Sequence, residues 1–326
     1  SSHINKYLFS YIYIIMVKII QIGTGGWGKN HCRVLSELGV LSGICDLNTE
    51  LADKLAKQYG VPSIHSIEDL IENHDFDGVV IATPTKTHFT IASELIKHKK
   101  HVFVEKPMTY QSIEGEKLVK LAKEQNVLLT SGYIERFNPV VSEVKNIAKE
   151  KIYGDLLMLE FHRESRMPMH IKDVGIIYDT AVHDIDTALW LFDDTPKTVY
   201  AKSGKIRHHH EDFSSIMLGF SNNRVANIVS NWITPVRIRT FNAIFSEGRI
   251  GADFITRQMT IDTIEGTTKP LPKQGEPLSL ELKNFIDTIS GKASLLVSPI
   301  NALNVTKIAE AAIESTKTGK EIEIDF

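Results

Sequence analysis

The apolar residues of this chain fall into two successive rhythms. From Val17 to about Gly132, short β-branched runs alternate with stretches whose apolar positions recur at helical spacing. The runs predict strands over residues 17–22, 41–45, 78–82, 101–104 and 127–131, and the stretches between them predict helices over 29–38, 49–59, 67–73, 87–97 and 113–125. Each run is apolar without strict alternation, the pattern of a strand whose two sheet faces are both covered by helices. Strand and helix in alternation build βαβ units, so the first half is expected to be α/β, a doubly wound parallel sheet.

Beyond Gly132 the rhythm changes. A helix over 139–149 leads to a strand near 156–161 and a helix over about 180–192. Strands then follow at 198–206, 214–220, 225–232, 237–245, 249–254 and 258–264 with no helical stretch between them. Strands in direct succession pair antiparallel, so the second half is expected to be α+β. A Pro-rich loop over 270–277 precedes two helices, at 278–290 and 300–318. The apolar stretch over 7–17 is shorter than the roughly 20 residues a membrane span needs and lacks a small-residue cleavage site. It is read as an N-terminal extension (1–15), followed by a nucleotide-binding domain (16–133) and an α+β substrate and oligomerisation domain (134–326).

Composition supports that division. A single hydrophobic core stops growing near about 250 to 300 residues, and the chain has 326. With 24% charged residues and a formal net charge of −3, no bulk electrostatic attraction to nucleic acid or a membrane surface is expected. Cys32 and Cys45 form no CxxC or Cys/His cluster with metal spacing, so they are read as buried thiols of a reducing, cytoplasmic compartment, without disulfide or zinc. The triplet His208, His209 and His210 falls between two predicted strands and reads as a solvated hairpin loop, so no metal is expected.

The first predicted strand runs into Gly23-Thr24-Gly25-Gly26-Trp27-Gly28. A lone GxGxxG is weak, but this one follows a strand, opens a helix, and is followed by a second strand ending in Asp46, 18 residues after Gly28. Gly23 allows the tight turn, Gly25 lets backbone approach a pyrophosphate, and Gly28 lets helix and strand pack closely. The phosphates would sit at the helix N-terminus, where free N–H groups and the dipole favour negative charge. Asp46 would accept from the adenosine ribose hydroxyls and repel a 2′-phosphate, and Leu47 and Asn48 offer no arginine to neutralise one. The expected cofactor is NAD.

Chemistry at the nicotinamide end needs groups at strand ends or at the junction of the two halves. Glu105-Lys106-Pro107 directly follows the strand over 101–104 and places a lysine there, although a lysine at a strand end is also what a solvated surface charge looks like. The second candidate is the block from Asp179 to Asp186. Asp179 and His183 are four apart and share a helix face, which Asp186 extends. A histidine accepts a hydroxyl proton near neutral pH, and a carboxylate can orient it. A helix N-terminus with dipole-favoured acids and an incidental core histidine would give the same residues.

These motifs together, in this order, resemble the Gfo/Idh/MocA oxidoreductases. The resemblance runs from about Val17 to the C-terminus and rests on Gly23 to Gly28, on Ala82-Thr83-Pro84-Thr85 with His88, on Glu105-Lys106-Pro107, and on Asp179 with His183. It implies a Rossmann domain followed by an α+β domain with a large open, mostly antiparallel sheet, and a homodimer or homotetramer. It also implies that Thr24, Gly26, Trp27, Thr83, Pro84, His88, Glu105 and Lys106 join Gly23, Gly25, Gly28 and Asp46 at the cofactor. Carried over residue by residue, His183 would be the acid/base, Lys106 would hydrogen-bond the reacting oxygen, and Asp179 would hold both in place.

Ile134-Glu135-Arg136-Phe137-Asn138-Pro139, Arg166-Met167-Pro168 with Lys172, and the segment from Trp232 to Arg239 are similar to a subgroup acting on a nucleotide sugar, the UDP-N-acetylglucosamine 3-dehydrogenases. In that reading the C3 hydroxyl becomes a ketone, and Arg136, Asn138, Arg163, Arg166, Lys172 and Arg237 meet the substrate. Arg136, Arg163, Arg166, Lys172, Arg237 and Arg239 are cations that could meet a diphosphate, or merely solvated charges. The alternatives are a dehydrogenase of a free polyol or sugar such as myo-inositol, and a non-catalytic NAD-binding regulator.

Overall fold

The computed structural model describes residues 16–169, 171, 173–271 and 274–326. The proposed extension over 1–15 and the candidate Lys172 lie outside the described residues. The first half contains β1 (Ile19–Ile22), α1 (Gly28–Glu37), β2 (Leu41–Cys45), α2 (Thr49–Tyr59), β3 (Ser63–Ile64), α3 (Ile67–Asn73), β4 (Gly78–Ile81), α4 (His88–Lys97), β5 (His101–Val104), α5 (Ser112–Gln125) and β6 (Leu129–Ser131). Local chemistry sets the boundaries. Asn48 accepts from Leu51 N to start α2, which Gly60 ends in the left-handed conformation. Ser66 caps α3 in the same manner.

The six strands pair in parallel in the order β3-β2-β1-β4-β5-β6. Chain direction across the sheet reverses between β1 and β4, so the loops after these two strands border one crevice, where doubly wound sheets bind ligands.

The second half contains α6 (Pro139–Lys149), β7 (Leu156–Glu164), α7 (Val182–Phe192), β8 (Thr198–Gly204), β9 (Phe213–Gly219), β10 (Val225–Asn231), β11 (Ile238–Phe245), β12 (Arg249–Asp253), β13 (Met259–Thr263), β14 (Gly266–Thr268), α8 (Pro277–Ile289), α9 (Pro299–Thr318) and β15 (Ile322–Glu323). Its nine strands run β14-β13-β12-β11-β7-β10-β9-β8-β15. Every pairing is antiparallel except β7 with β10. One face is covered: Ile216, Ile228, Phe161 and Phe241 stand side by side across four strands and are all buried. The other face is open and carries the exposed Phe213 and Met217.

Two findings differ from the sequence expectation. The long helix expected over 180–192 begins as a single π-turn, Ile177–Ala181, before α7 proper. The strands β3, β14 and β15 were not foreseen; at two or three residues they carry no readable alternation. Helix α8 also crosses back: Leu278, Leu282 and Phe285 pack with Val34, Leu35, Val80 and Phe103, so it covers the first sheet beside α1. A continuous apolar core joins the other face of that sheet to α9, α7 and the second sheet.

Candidate active site

The loop after β1 is shaped by its glycines. Gly23 has φ +84°, and a Cβ there would stand 2.7 Å from the Ala82 carbonyl oxygen. A Cβ on Gly28 would collide with the Gly23 carbonyl, whereas Gly25 and Gly26 face open space. Helix α1 starts with no side-chain cap and no acid in its first turn. Lys29 N and Asn30 N turn back to the Gly25 and Trp27 carbonyls, so an outside anion would be met by the dipole of this N-terminus and by the loop before it, where the open volume over Gly25 and Gly26 admits one. The loop fits a pyrophosphate.

Asp46 ends β2 at the edge of this loop. Its Oδ2 accepts from Thr24 N and Thr24 Oγ1, both at 2.6 Å, and its Oδ1 accepts from Asn48 N at 2.8 Å. The carboxylate thus fixes the loop through Oδ2, whose two lone pairs Thr24 takes, and Oδ1 keeps one for a ribose hydroxyl.

The loops after β4 and β5 complete the crevice. Thr83 packs so closely on Gly23 that a Cβ there would meet its methyl at 2.8 Å. Thr83 Oγ1 pairs with Thr87 Oγ1, and Pro84 is exposed. His88 does not face the crevice as the resemblance implied. It is fully buried, with Nδ1 against the Pro107 carbonyl and Nε2 against the Thr83 carbonyl, both at 2.9 Å. Burial pushes its imidazole toward the neutral form while the two carbonyls pull the other way. It ties the β4 loop to the β5 loop.

Glu105 likewise points inward. Its Oε1 accepts from Trp27 Nε1 and pairs with His31 Nε2, both at 2.7 Å, and its Oε2 accepts from Lys106 N at 3.1 Å. Burial would raise its pKa, but the His31 hydrogen bond and the charges of His31 and Lys106 outweigh it and hold the carboxyl below its ordinary value. Glu105 therefore braces the glycine loop against the lysine segment. His31 was missed in the sequence; a polar residue on the same helix face as Val34 and Leu35 was the available signal.

Lys106 reaches from the first half into the second. Its Nζ donates to the Asp179 carbonyl at 2.5 Å and to Asp179 Oδ1 at 3.1 Å. Asp179 sits in the π-turn, a widened turn that frequently marks functional sites. Glu211, another residue the sequence did not reveal, holds that turn from the β8–β9 loop: its carboxylate accepts from Ile177 N and its carbonyl from Ile176 N. Gly175 lets it come close, since a Cβ there would collide with the Glu211 carboxylate.

His183, in the first turn of α7, is half-buried, and its Nδ1 is buried without a hydrogen-bond partner. The four-residue spacing that placed it beside Asp179 assumed an α-helix; the π-turn intervenes, and Asp179 does not orient this nitrogen. Burial, then the positive charges of Lys106, Arg163 and Arg239, lower its pKa well below 6.5. The imidazole is neutral at neutral pH and can accept a proton.

The candidate substrate cations divide into two groups. Arg136 and Arg163 are interior. Arg136 donates through Nε and Nη2 to Asp186, the shortest contact being 2.6 Å, and through Nη1 to the Leu296 carbonyl and Asn301. Arg163 donates to both Asp184 and Glu135. Asn138 caps α6 while its amide donates to Glu135 and the Phe254 carbonyl. The expectation that these three meet substrate is corrected: their polar atoms are occupied by buried partners, the two arginines anchoring α7 through Asp186 and Asp184 and Asn138 fixing the start of α6. Asp186, read as extending the His183 face, is fully buried for the same reason.

Arg166 and Arg237 are exposed. Arg166 Nε donates to the Pro235 carbonyl, bringing the loop after β7 against the turn before β11. Among the described residues no group of three or more His, Cys, Asp or Glu is placed to hold a metal ion, and no helix is long and apolar enough to cross a membrane.

Comparison with known proteins places this geometry. A model of the GFO/IDH/MocA oxidoreductase family, NAD-binding Rossmann fold, matches residues 17–133, and the GFO/IDH/MocA C-terminal domain matches residues 141–251. The chain belongs to the Gfo/Idh/MocA oxidoreductase family. As a family member it is an NAD-dependent dehydrogenase.

A UDP-N-acetylglucosamine 3-dehydrogenase of Acidithiobacillus ferrooxidans is 25% identical over 279 residues, covering 82% of this chain and 87% of that protein. The solved structure of that enzyme, GnnA, superposes with a TM-score of 0.86 at 23% identity, covering 94% of this chain and 99% of its own. An inositol 2-dehydrogenase of Rhizobium meliloti is 26% identical over 333 residues, covering 94% and 99%. The WlbA dehydrogenase from Bordetella pertussis, solved with NADH and UDP-GlcNAcA, superposes with a TM-score of 0.83 at 21% identity, covering 95% and 99%. At these identities the structural likeness shows the fold.

Proposed function

We propose that this family member oxidises the C3 hydroxyl of UDP-N-acetylglucosamine, or of a close nucleotide-sugar relative, to a ketone. The observation that carries the reading is the contact of Lys106 Nζ with Asp179 across the junction of the two halves, with His183 near enough for the Lys106 charge to lower its pKa. The glycine loop and the α1 N-terminus would hold the cofactor pyrophosphate, Asp46 the adenosine ribose, and Thr83 with Pro84 would line the crevice. NAD, when bound there, supplies the hydride acceptor.

The protein's own groups then act on the sugar oxygen. His183, neutral at neutral pH, takes the hydroxyl proton; a positioned base contributes typically about 10² to 10⁴-fold. Lys106 donates to the same oxygen as negative charge develops. Asp179, by holding Nζ through both a carbonyl and a carboxylate, keeps that ammonium aimed into the crevice.

The nucleotide-sugar substrate is supported by the likeness to the 3-dehydrogenase and by the exposed Arg166 and Arg237. A free polyol is the second reading, favoured by inositol dehydrogenases that match at equal identity. NADH formation, followed by absorbance across UDP-N-acetylglucosamine, its uronic acid, UDP-glucose, myo-inositol and glucose 6-phosphate, tests both. Activity confined to uncharged polyols would reject the nucleotide-sugar reading. The open face of the second sheet is proposed to pack against a second copy, giving a homodimer or homotetramer.

A further inference from the structure

Strand register puts one more cation in a special position. Arg239 on β11 stands directly opposite Arg163 on β7, which pairs with Ser230 on β10, which pairs with Ser214 on β9. This row lies two residues along from the buried row of Phe241, Phe161, Ile228 and Ile216, so all four side chains point to the same, helix-covered face. The covered face thus turns from apolar to polar at the end where α7 begins and His183 stands.

Within that row the two arginines differ. Arg163 is buried and its guanidinium is shared between Asp184 and Glu135. Arg239 is only half-buried, and its guanidinium makes no hydrogen bond or ion pair with any described residue. The nearby carboxylates are already spent on Arg163. Burial, then repulsion from Arg163 and Arg237, lowers the Arg239 pKa to about 10, and Arg239 in turn is one of the three cations that keep His183 neutral. A guanidinium held close to like charges, desolvated and reached by solvent on one side is a cation that an incoming anion would stabilise.

We propose that Arg239 is the diphosphate-binding residue of the substrate site, with its planar guanidinium donating paired hydrogen bonds to a phosphate oxygen pair of the activated sugar. Guanidinium geometry favours this two-point contact, which an ammonium cannot reproduce. Arg239 does no chemistry; it positions the sugar ring against His183 and Lys106. The inference rests on the nucleotide-sugar reading and adds the residue that discriminates an activated sugar from a free one.

The test uses the full chain with UDP as probe, by titration calorimetry, together with turnover of UDP-N-acetylglucosamine and titration with NADH. Arg239→Gln is expected to weaken UDP binding and raise KM by about 10- to 100-fold, the range for losing a charge-assisted hydrogen bond. NADH affinity should stay within about twofold, because Arg239 belongs to β11 of the second sheet and the glycine loop follows β1 of the first. Arg239→Lys should recover only part of the loss, which a merely structural cation would not require, and it serves where the glutamine variant fails to fold. Unchanged UDP affinity in either variant that still binds NADH overturns the proposal. Wild-type enzyme that turns over only uncharged polyols and binds no UDP overturns the nucleotide-sugar reading and this inference together, whereas wild-type binding of UDP with indifferent variants overturns this inference alone.

Discussion

Replacing Arg136 separates a structural from a substrate role for the most conspicuous cation of the second half. Arg136 and Asp186 are 3% and 0% exposed. Three donor–acceptor contacts join them at 2.6 to 3.1 Å, and two further acceptors take Nη1. In Arg136→Leu the Asp186 carboxylate stays buried with its counterion gone, a change that typically costs about 3–5 kcal/mol. Against a total stability of roughly 5–15 kcal/mol that is a large fraction. At about 2–4 °C per kcal/mol for a domain of this size, the melting temperature should fall by roughly 6–20 °C. Adding Asp186→Leu should restore much of the loss, because an apolar pair in place of a buried ion pair is often neutral. Thermal unfolding followed by circular dichroism reads both variants. At temperatures where Arg136→Leu is folded, KM for UDP-N-acetylglucosamine should stay within about threefold, since surface-remote sites couple weakly to binding. An unchanged melting temperature with a KM raised tenfold or more would refute the buried assignment.

Other consequences follow from the glycine loop and from two buried titratable groups. Gly25→Ala should leave the melting temperature unchanged, since no protein atom lies within 4 Å of the new methyl, yet weaken NADH binding; Gly28→Ala, whose methyl meets the Gly23 carbonyl, should lower both. Fluorescence titration with NADH distinguishes these outcomes. Glu281 is buried with neither oxygen hydrogen-bonded, and burial followed by repulsion from Glu105, Asp186 and Glu135 holds its pKa well above 4.5. The folded state keeps this proton after the unfolded chain has lost it, so its contribution is present below pH 4.5 and lost as pH rises; Glu281→Gln should flatten the decline in melting temperature toward alkaline pH. His183 has the opposite sign: its folded pKa lies well below 6.5, so the unfolded chain protonates first and stability falls as pH drops below that value. The acid limb of kcat/KM should accordingly lie below pH 6.5, and a limb assigned to His183 at neutral pH would contradict its electrostatic setting.

Much of the fold was legible because it rests on periodicity. The strands at 41–45 and 101–104 and the helices at 49–59, 67–73 and 139–149 have the same bounds in the structure as in the pattern. The π-turn was not legible, since residues at i and i+4 are the same letters in either helix type, and Glu211, which packs on Gly175 and accepts from Ile177 N, comes to it from a distant loop. The arginines were the harder case. Sequence spacing cannot distinguish a solvated guanidinium from one facing a buried carboxylate, and Arg136 and Arg163 were read as ligand groups for that reason. A signal did exist: apart from His183 and Thr187, Asp184 and Asp186 lie in a helix of Val, Ile, Ala, Leu, Trp and Phe, where acids without buried cations could not persist. Glu105 and His88 were placed at the right crevice, but their side chains face into the protein, where they lock the loops that the cofactor site is made from.

The most direct measurement of the central proposal is turnover of UDP-N-acetylglucosamine by Lys106→Met, paired with NADH titration of the same protein. Loss of the ammonium that Asp179 aims into the crevice should slow NADH formation by about 10² to 10³-fold, the effect of deleting one oxyanion-stabilising donor, while NADH affinity stays within about twofold of wild type. Turnover at the wild-type rate would show that the Lys106, Asp179 and His183 crevice is not where the chemistry occurs.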